Sequence, residues 1–523
     1  MISTRLTYQL YYSWTHTERV HVIGCAWFNE TLYKGQALAS YFSDITGETD
    51  FIQRINVLSG HFSVVVETDG HIYLAVDIIR TFPLFITEDN KHITISDEVH
   101  FKGDWNTAET AAFKKVYCTL ENNTLLSDTR QLQAGEYAVI DSKEHAVRIK
   151  NHFRHSSDEN KICRNNELEA CEKTLVNRII QYAGNRTIFI PLSGGYDSRY
   201  LLALLKKNNC TNVKCFIYGR KDSTDTIIAK KVAAILDIEW YFIEYTNELL
   251  NEYFSDEWAT YSDMNHHYSS LPHEQDFFAL HYLKKHHLLP QNAVVMNGFC
   301  QDIIAGSFLE PASSVNVSSH IEYKHDLKVE TPAYDDSWNG YQEWLVKNRL
   351  SKFIVNSMRV YEYFGLDFYL PFWDKDWVDY WYSLSYKDKL NQSSYISYLF
   401  SGIFKEYGID IPKSDSVHKR KSIYYLRKTI KSILPEKITR FIQQINSRNI
   451  QNDPNNSHYL YEELYKRLKN KPACKDFRIN NIHAHYFLEK MEEKSGTLRK
   501  ICHAKILLPP CPVFVGCSIY CLQ

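Results

Sequence analysis

The residues with the most direct chemical potential lie in one loop, Ser193-Gly194-Gly195-Tyr196-Asp197-Ser198. Gly194 and Gly195 let a polyanion approach the backbone, the Ser193 and Ser198 hydroxyls donate to its oxygens, and Asp197 is suited to a divalent cation. The apolar run Ile188–Ile190 precedes the loop as a strand, and an apolar-periodic helix follows it to Lys207. Unpaired amides and a favourable dipole at that helix start add to the anion site. The pattern points to the phosphates of ATP, and specifically to the pyrophosphate that leaves when an acid is adenylated. No G-x-x-x-x-G-K-[ST] string and no strand-borne G-x-G-x-x-G is present, so the commoner phosphate loops do not apply. A bare SGG can also be a turn, but here strand, helix, aspartate and serine stand in register.

A second loop, Asn297-Gly298-Phe299-Cys300-Gln301-Asp302, follows the strand pattern of residues 293–296. Gly298 and Asp302 are expected to face the same ATP, with Asp197 and Asp302 as Mg²⁺ ligands, because this hard cation takes carboxylate and phosphate oxygens. The plain alternative for Asp302 is a surface aspartate beside a turn. Tyr218 and Gly219 end the strand pattern Phe216-Ile217-Tyr218-Gly219 and are placed to wall an adenine or ribose. They equally fit a buried strand closed by a glycine. Asp222 and Asp225 begin a helix whose dipole they would complement.

Both loops require a parallel sheet to position them. From Thr187 the order is strand, loop, helix, strand at 213–218, helix at 224–236 and strand at 240–245, which predicts a parallel sheet covered by helices. Ligands of such sheets bind at the strand ends. Residues 16–97 read mainly as sheet, with a hairpin of residues 60–67 and 71–77 around Thr68-Asp69-Gly70. Residues 91–96 read as a further strand, 151–161 as a polar linker, 167–182 as a helix, and 418–500 as helical with mixed charge.

A chain of 523 residues exceeds what one hydrophobic core supports, so two or three domains are expected. The divisions are 1–150, 160–430 and 431–523. With 60 basic and 62 acidic side chains, the net charge of −2 gives no bulk electrostatic reason to expect nucleic acid. The opening MISTRLTYQLYYSW lacks a signal-peptide core and no later stretch approaches a membrane span, so a cytoplasmic location is expected. Twelve scattered cysteines fit reduced thiols. Cys502, His503, Cys511, Cys517 and Cys521 lack paired Cys-x-x-Cys spacing, and His266, His267, His273 and Glu274 lack H-E-x-x-H, so zinc is not expected.

The ordered recurrence of motifs resembles the asparagine synthetase-like amidotransferases, a family with relatives that close β-lactam rings and cyclise peptides. SGGYDS is similar to the family's SGG-x-DS pyrophosphate motif, NGFCQDIIAG to its second loop, and GLDFYLPFWDK to its Pro-Phe-Leu-Asp segment, with Arg359 at a usually basic position. Residues 58–62, 75–85 and 96–98 resemble its glutaminase sheet. The resemblance covers most of residues 20–430. It implies an α/β protein: an Ntn-glutaminase-like β-rich sandwich, then an adenine-nucleotide α-hydrolase-like (PP-loop) synthetase domain and a helical C-terminal extension.

The resemblance also carries departures. The family's glutaminase exposes an N-terminal cysteine, whereas Ile2 follows Met1 here and Cys25 reads as a strand cysteine, so glutamine hydrolysis is expected to be absent. Phe299 and Ile303 replace acidic residues of the second loop. Asp367 stands where relatives carry a glutamate, and is expected to orient or deprotonate the amine. A family lysine opposes the developing oxyanion; Lys413, Lys419 and Lys421 are available, and Lys421 is preferred with Lys419 next. The implied reaction is ATP- and Mg²⁺-dependent amide formation from a small-molecule or peptide carboxylate and an amine or ammonia. Tailoring of a surface-polysaccharide sugar acid, an amino-acid or peptide synthetase or cyclase, and a non-catalytic nucleotide-binding scaffold all stay open, as does a homodimer.

Overall fold

The structure is a computed structural model that describes residues 1–89, 92–99, 104–157, 164–311, 314–329, 333–413, 453–471 and 479–506, with side chains described to residue 494. The chain opens with β1 (Ile2–Arg5), β2 (Thr15–His16), β3 (Val20–Phe28) and β4 (Thr31–Lys34). Helices α1 (Gly35–Tyr41) and α2 (Glu48–Asn56) precede the hairpin of β5 (Ser59–Glu67) and β6 (His71–Val76). Then come β7 (Phe85–Asp89), β8 (His92–Ser96), α3 (Thr107–Val116), β9 (Thr129–Gln131), β10 (Glu136–Asp141) and β11 (Val147–Asn151). They form a sheet of order β1-β8-β7-β9 and a second of order β11-β10-β6-β5-β3-β2, with β4 beside β3.

The apolar run of β5 is almost continuous because both of its faces are covered. Val65 joins a core with Ile86 and Ile95 of the other sheet, while Val64 and Val66 pack with Leu38 and Phe51 of α1 and α2. Period two assigns alternate residues to opposite faces, so two covers demand apolar residues at every position.

The second half begins with α4 (Asn165–Ala183) and builds an all-parallel sheet from β12 (Thr187–Pro191), β13 (Val213–Gly219), β14 (Glu239–Glu244), β15 (Ala293–Met296) and β16 (Asp367–Tyr369). Its order is β14-β13-β12-β15-β16. Ile188, Phe189 and Ile190 are all buried, as helix cover on both faces requires. Two crossover helices, α5 (Tyr196–Lys207) and α6 (Thr224–Ile235), connect the first three of these strands. Gly195 caps α5 in an extended conformation, Asp197 lies in its first turn and Lys206 and Lys207 in its last, matching the helix dipole at both ends.

The described helices of the C-terminal extension, Ser457–Arg467 and Ile479–Ile506, pack back on the protein. Phe487 stacks on Phe113 of α3 with ring centroids 5.7 Å apart. The expected polar linker is instead pinned over its described part. His155 and Ser157 are buried, Gln342 Nε2 donates to the His155 carbonyl at 2.8 Å, and Asn339 exchanges two hydrogen bonds with the Ser157 backbone. Among the described residues no helix is long and apolar enough to cross a membrane.

Candidate functional site

The order of the parallel sheet selects the site. From β12 the chain builds outward through β13 to β14, then returns to place β15 on the other side of β12. A crevice opens beyond the carboxyl ends of strands where the order reverses. The Ser193–Ser198 loop leaves β12 and the Asn297–Asp302 loop leaves β15, so the two flank that crevice.

Within the first loop the backbone is held by its own hydroxyls. Ser193 Oγ and Ser198 Oγ lie 3.2 Å apart, and the Gly195 N–H donates to Ser193 Oγ at 3.1 Å. The Gly194 N–H donates to Asp225 Oδ1 at 3.0 Å, and a Cβ on Gly194 would fall 2.9 Å from the Asp225 carbonyl oxygen. Only glycine lets α6 approach this closely. Arg199, fully buried, donates to the carbonyls of Gly194 at 2.9 Å, Ile409 at 2.9 Å and Ile411 at 2.6 Å. Burial pulls its guanidinium down to about 10, and Tyr196 and Asp225 work against that shift. This clamp delivers Lys413 to the loop, where its N–H donates to Tyr196 Oη at 3.2 Å. Its ammonium lies 3.5 Å from where a Gly195 Cβ would stand.

Asp197 and Asp302 meet across the crevice. Asp197 Oδ2 accepts the Asp302 N–H at 3.2 Å, and Asp197 Oδ1 accepts the hydroxyl of buried Tyr395 at 3.0 Å. Burial, and after it the neighbouring Asp302 carboxylate, push the Asp197 carboxyl up to about 7, against the pull of Lys413. Burial also raises Asp302, opposed by a hydrogen bond with Ser307 and by Lys413. Gly298 permits the approach of the two loops, because its Cβ would lie 2.9 Å from the Asp197 carbonyl carbon and oxygen and from the Ser198 nitrogen. Among the described residues no cluster of three or more metal-type side chains exists. Two facing carboxylates that each resist ionisation nevertheless fit Mg²⁺, which is held by one or two carboxylates together with phosphate oxygens and water.

Tyr218 and Gly219 end β13, the parallel neighbour of β12. Tyr218 stacks on Tyr245 with centroids 5.0 Å apart. Gly219, at φ +124°, faces the Pro454 carbonyl, which would stand 2.7 Å from its Cβ and accepts the Arg220 N–H at 2.6 Å. The described extension therefore packs directly over Gly219. Lys419 and Lys421 lie outside the described residues. Arg359 is an internal strut, paired with Glu362 at 2.7 Å and donating to Tyr8 Oη at 3.1 Å.

Asp367 requires a correction. It pairs in register with Val294, which pairs with Ile188, so it stands at the starting end of the sheet rather than at the phosphate loops. Five residues from Ile188 to Ser193 at about 3.3 Å per residue separate it from the crevice by roughly 16 Å. Its oxygens are already engaged: Oδ1 accepts from Tyr12, from Tyr182 at 2.9 Å and from the Phe368 N–H at 2.8 Å, while Oδ2 pairs with Arg186. A carboxylate so placed cannot take a proton from an amine at the loops. Residue type and proximity to the Pro-Phe segment suggested that role, but strand register decides which end of a sheet a residue occupies.

Lys413, Arg199, Asp225 and Tyr395 complete the crevice. Lys413 was among the available lysines, but its selection depends on the Arg199 clamp. Nothing in the local pattern of α5 marks that arginine, because its partners at Ile409 and Ile411 lie more than 200 residues on. Tyr395 carried no local signal, because it reaches Asp197 across 198 positions.

No protein-family model and no curated protein sequence matches this chain. Among solved structures, an NH3-dependent NAD synthetase from Campylobacter jejuni and an NMN synthetase from Francisella tularensis each share 17% identity over 28% of this chain and 60% of theirs, at a TM-score of 0.20. A glutamine phosphoribosylpyrophosphate amidotransferase from B. subtilis shares 10% identity over 46% of this chain and 74% of its own, at a TM-score of 0.19. The chain thus spans less than two thirds of the length of the two synthetases.

Proposed function

We propose that the protein forms amide bonds by adenylating a carboxylate. A carboxylate oxygen attacks the α-phosphorus of ATP, the bond to the pyrophosphate oxygen breaks, and pyrophosphate departs. An amine or ammonia then adds to the acyl carbon, loses a proton to solvent, and expels AMP. The carrying observation is the convergence of Asp197, Asp302 and Lys413 on paired glycine loops at the point where the strand order reverses.

In this reading the Ser193 and Ser198 hydroxyls and the start of α5 cradle the pyrophosphate. Asp197 and Asp302 would hold Mg²⁺, which supplies charge compensation as pyrophosphate leaves. Lys413 opposes charge on the phosphate and on the acyl oxygen. The acid is a small molecule or peptide; a surface-polysaccharide sugar acid and an amino-acid or peptide acid are the two classes proposed. Acid-dependent exchange of labelled pyrophosphate into ATP tests the first half-reaction.

A second reading, a non-catalytic nucleotide-binding protein, is favoured by one observation. The Gly194 N–H, a natural phosphate donor, is already engaged by Asp225. Stoichiometric ATP binding with no exchange across a broad acid panel would select it.

A further inference from the structure

At the opposite end of the parallel sheet from the phosphate loops, a cavity of about 270 Å³ opens between the two halves of the protein. Tyr11, Tyr12 and Lys34 of the first half and Tyr182, Arg186 and Asp367 of the second line it. The charges there are not equal in status. Arg186 is paired with Asp367, and it also donates to the Tyr182 carbonyl and, at 3.1 Å, to the Ala183 carbonyl. Asp367 has no free oxygen for a cation, as its partners above show.

Lys34 differs. Among the described residues its ammonium has no carboxylate within ion-pair distance, and it sits 3.8 Å from the ring centroid of Tyr182. Tyr182 is buried and lines the cavity. One uncompensated positive charge over an aromatic surface, with further tyrosines around it, is a recognition pattern for a monoanion with an apolar body. A dianion such as phosphate would set its second charge against aromatic walls and the Asp367 carboxylate. Cys25 also reaches this cavity, but burial pushes its thiol up to about 11, so it contributes no nucleophile.

The geometry points to a second small-molecule site here, one that takes a small organic monocarboxylate with its carboxylate on Lys34 and its apolar body against Tyr11 and Tyr12. Such a ligand occupies a cavity lined by both halves of the protein, so its occupancy stiffens their contact. The site does not depend on the chemistry assigned to the phosphate loops.

Isothermal titration of the full chain, without nucleotide, with sodium butyrate and sodium benzoate against sodium chloride and sodium phosphate at matched ionic strength tests it. Saturable one-to-one binding of butyrate or benzoate is expected, weakened at least tenfold in Lys34→Ala and in Lys34→Met and retained in Lys34→Arg. Lys34 is exposed, so folding of these variants, checked by circular dichroism, should match the parent. Absence of saturable carboxylate binding, equal binding of phosphate, or undiminished binding in both neutral variants would overturn the assignment.

Discussion

The backbone N–H of Asp302 donates to the carboxylate of Asp197 at 3.2 Å, joining two loops whose sequence separation is 105 residues. A single hydrogen bond between a main-chain donor and a partly buried acid is modest in itself. Its importance is positional, because it fixes the two carboxylates on opposite lips of one crevice with Lys413 nearby.

Removing charge from that pair should stop chemistry while sparing the fold. Asp197→Asn preserves shape and an acceptor for Tyr395, but loses the charge proposed to hold Mg²⁺. Turnover is expected to drop by roughly 100-fold or more, equivalent to about 2.7 kcal/mol of transition-state stabilisation. Near-parental kcat in folded protein would remove Asp197 from the site.

Gly298 should tolerate no side chain. The added methyl of Gly298→Ala would lie 2.9 Å from backbone atoms of Asp197 and Ser198, which cannot swing aside as a side-chain tip can. The loops must part, at a cost of about 1–3 kcal/mol for overpacking. A raised KM for ATP and a lowered melting temperature are the expected signatures, read by initial rates and differential scanning calorimetry. Unchanged values of both would show that the loops move independently.

The contact between the halves should weaken in acid. Burial holds His61 and His155 down to about 3. His61 Nε2 accepts the Leu370 N–H at 3.1 Å, whereas His155 joins the Ile78 carbonyl at 2.7 Å to the Tyr382 hydroxyl at 3.1 Å. An unfolded histidine takes its proton near pH 6.5, so the stabilisation is complete above that pH and declines as pH falls toward the folded value. At pH 5 each contributes a loss of about 2 kcal/mol. Asp197, which burial raises to about 7, acts in the opposite sense over this interval, so urea midpoints at pH 7.5 and pH 5 are compared between the parent and the His61→Gln and His155→Gln variants; an acid shift left unchanged in both variants would contradict these neutral, buried states.

Arg178 and Asp374 form a buried ion pair that reaches the first half through Ser59. One guanidinium nitrogen reaches both Asp374 oxygens at 2.6 Å, and Ser59 of β5 donates to Oδ2 at 3.0 Å. Arg178→Ala would leave a buried, unpaired carboxylate, and a loss of about 3–5 kcal/mol in urea unfolding is expected. A loss below about 1 kcal/mol would mean that water or another cation reaches Asp374.

Much of the parallel sheet was legible before its structure, since β12, β13, β14 and β15 each carry an apolar run bounded by a turn or helix signal. The strand expected at 240–245 occupies Glu239–Glu244, a shift of one residue at each end. The hairpin around Asp69-Gly70 was equally plain. Three-residue β16 was too short to show a period, and with it went the placement of Asp367. The buried roles of His155 and Ser157 were hidden because polar residues at an interface look like polar residues in a linker. Local pattern reports which residues share a strand or helix face; it does not report which distant element closes over them, as Pro454 does over Gly219.

The direct test of adenylation is the fate of the acid's oxygen. A panel of carboxylic acids labelled with ¹⁸O on the carboxylate should be incubated with ATP, Mg²⁺ and ammonium or an amine, and the products read by mass spectrometry. Attack on the α-phosphorus predicts one labelled oxygen in AMP, unlabelled pyrophosphate and an amide. Labelled inorganic phosphate with ADP would place attack at the γ-phosphorus and contradict the reading of the Ser193–Ser198 loop.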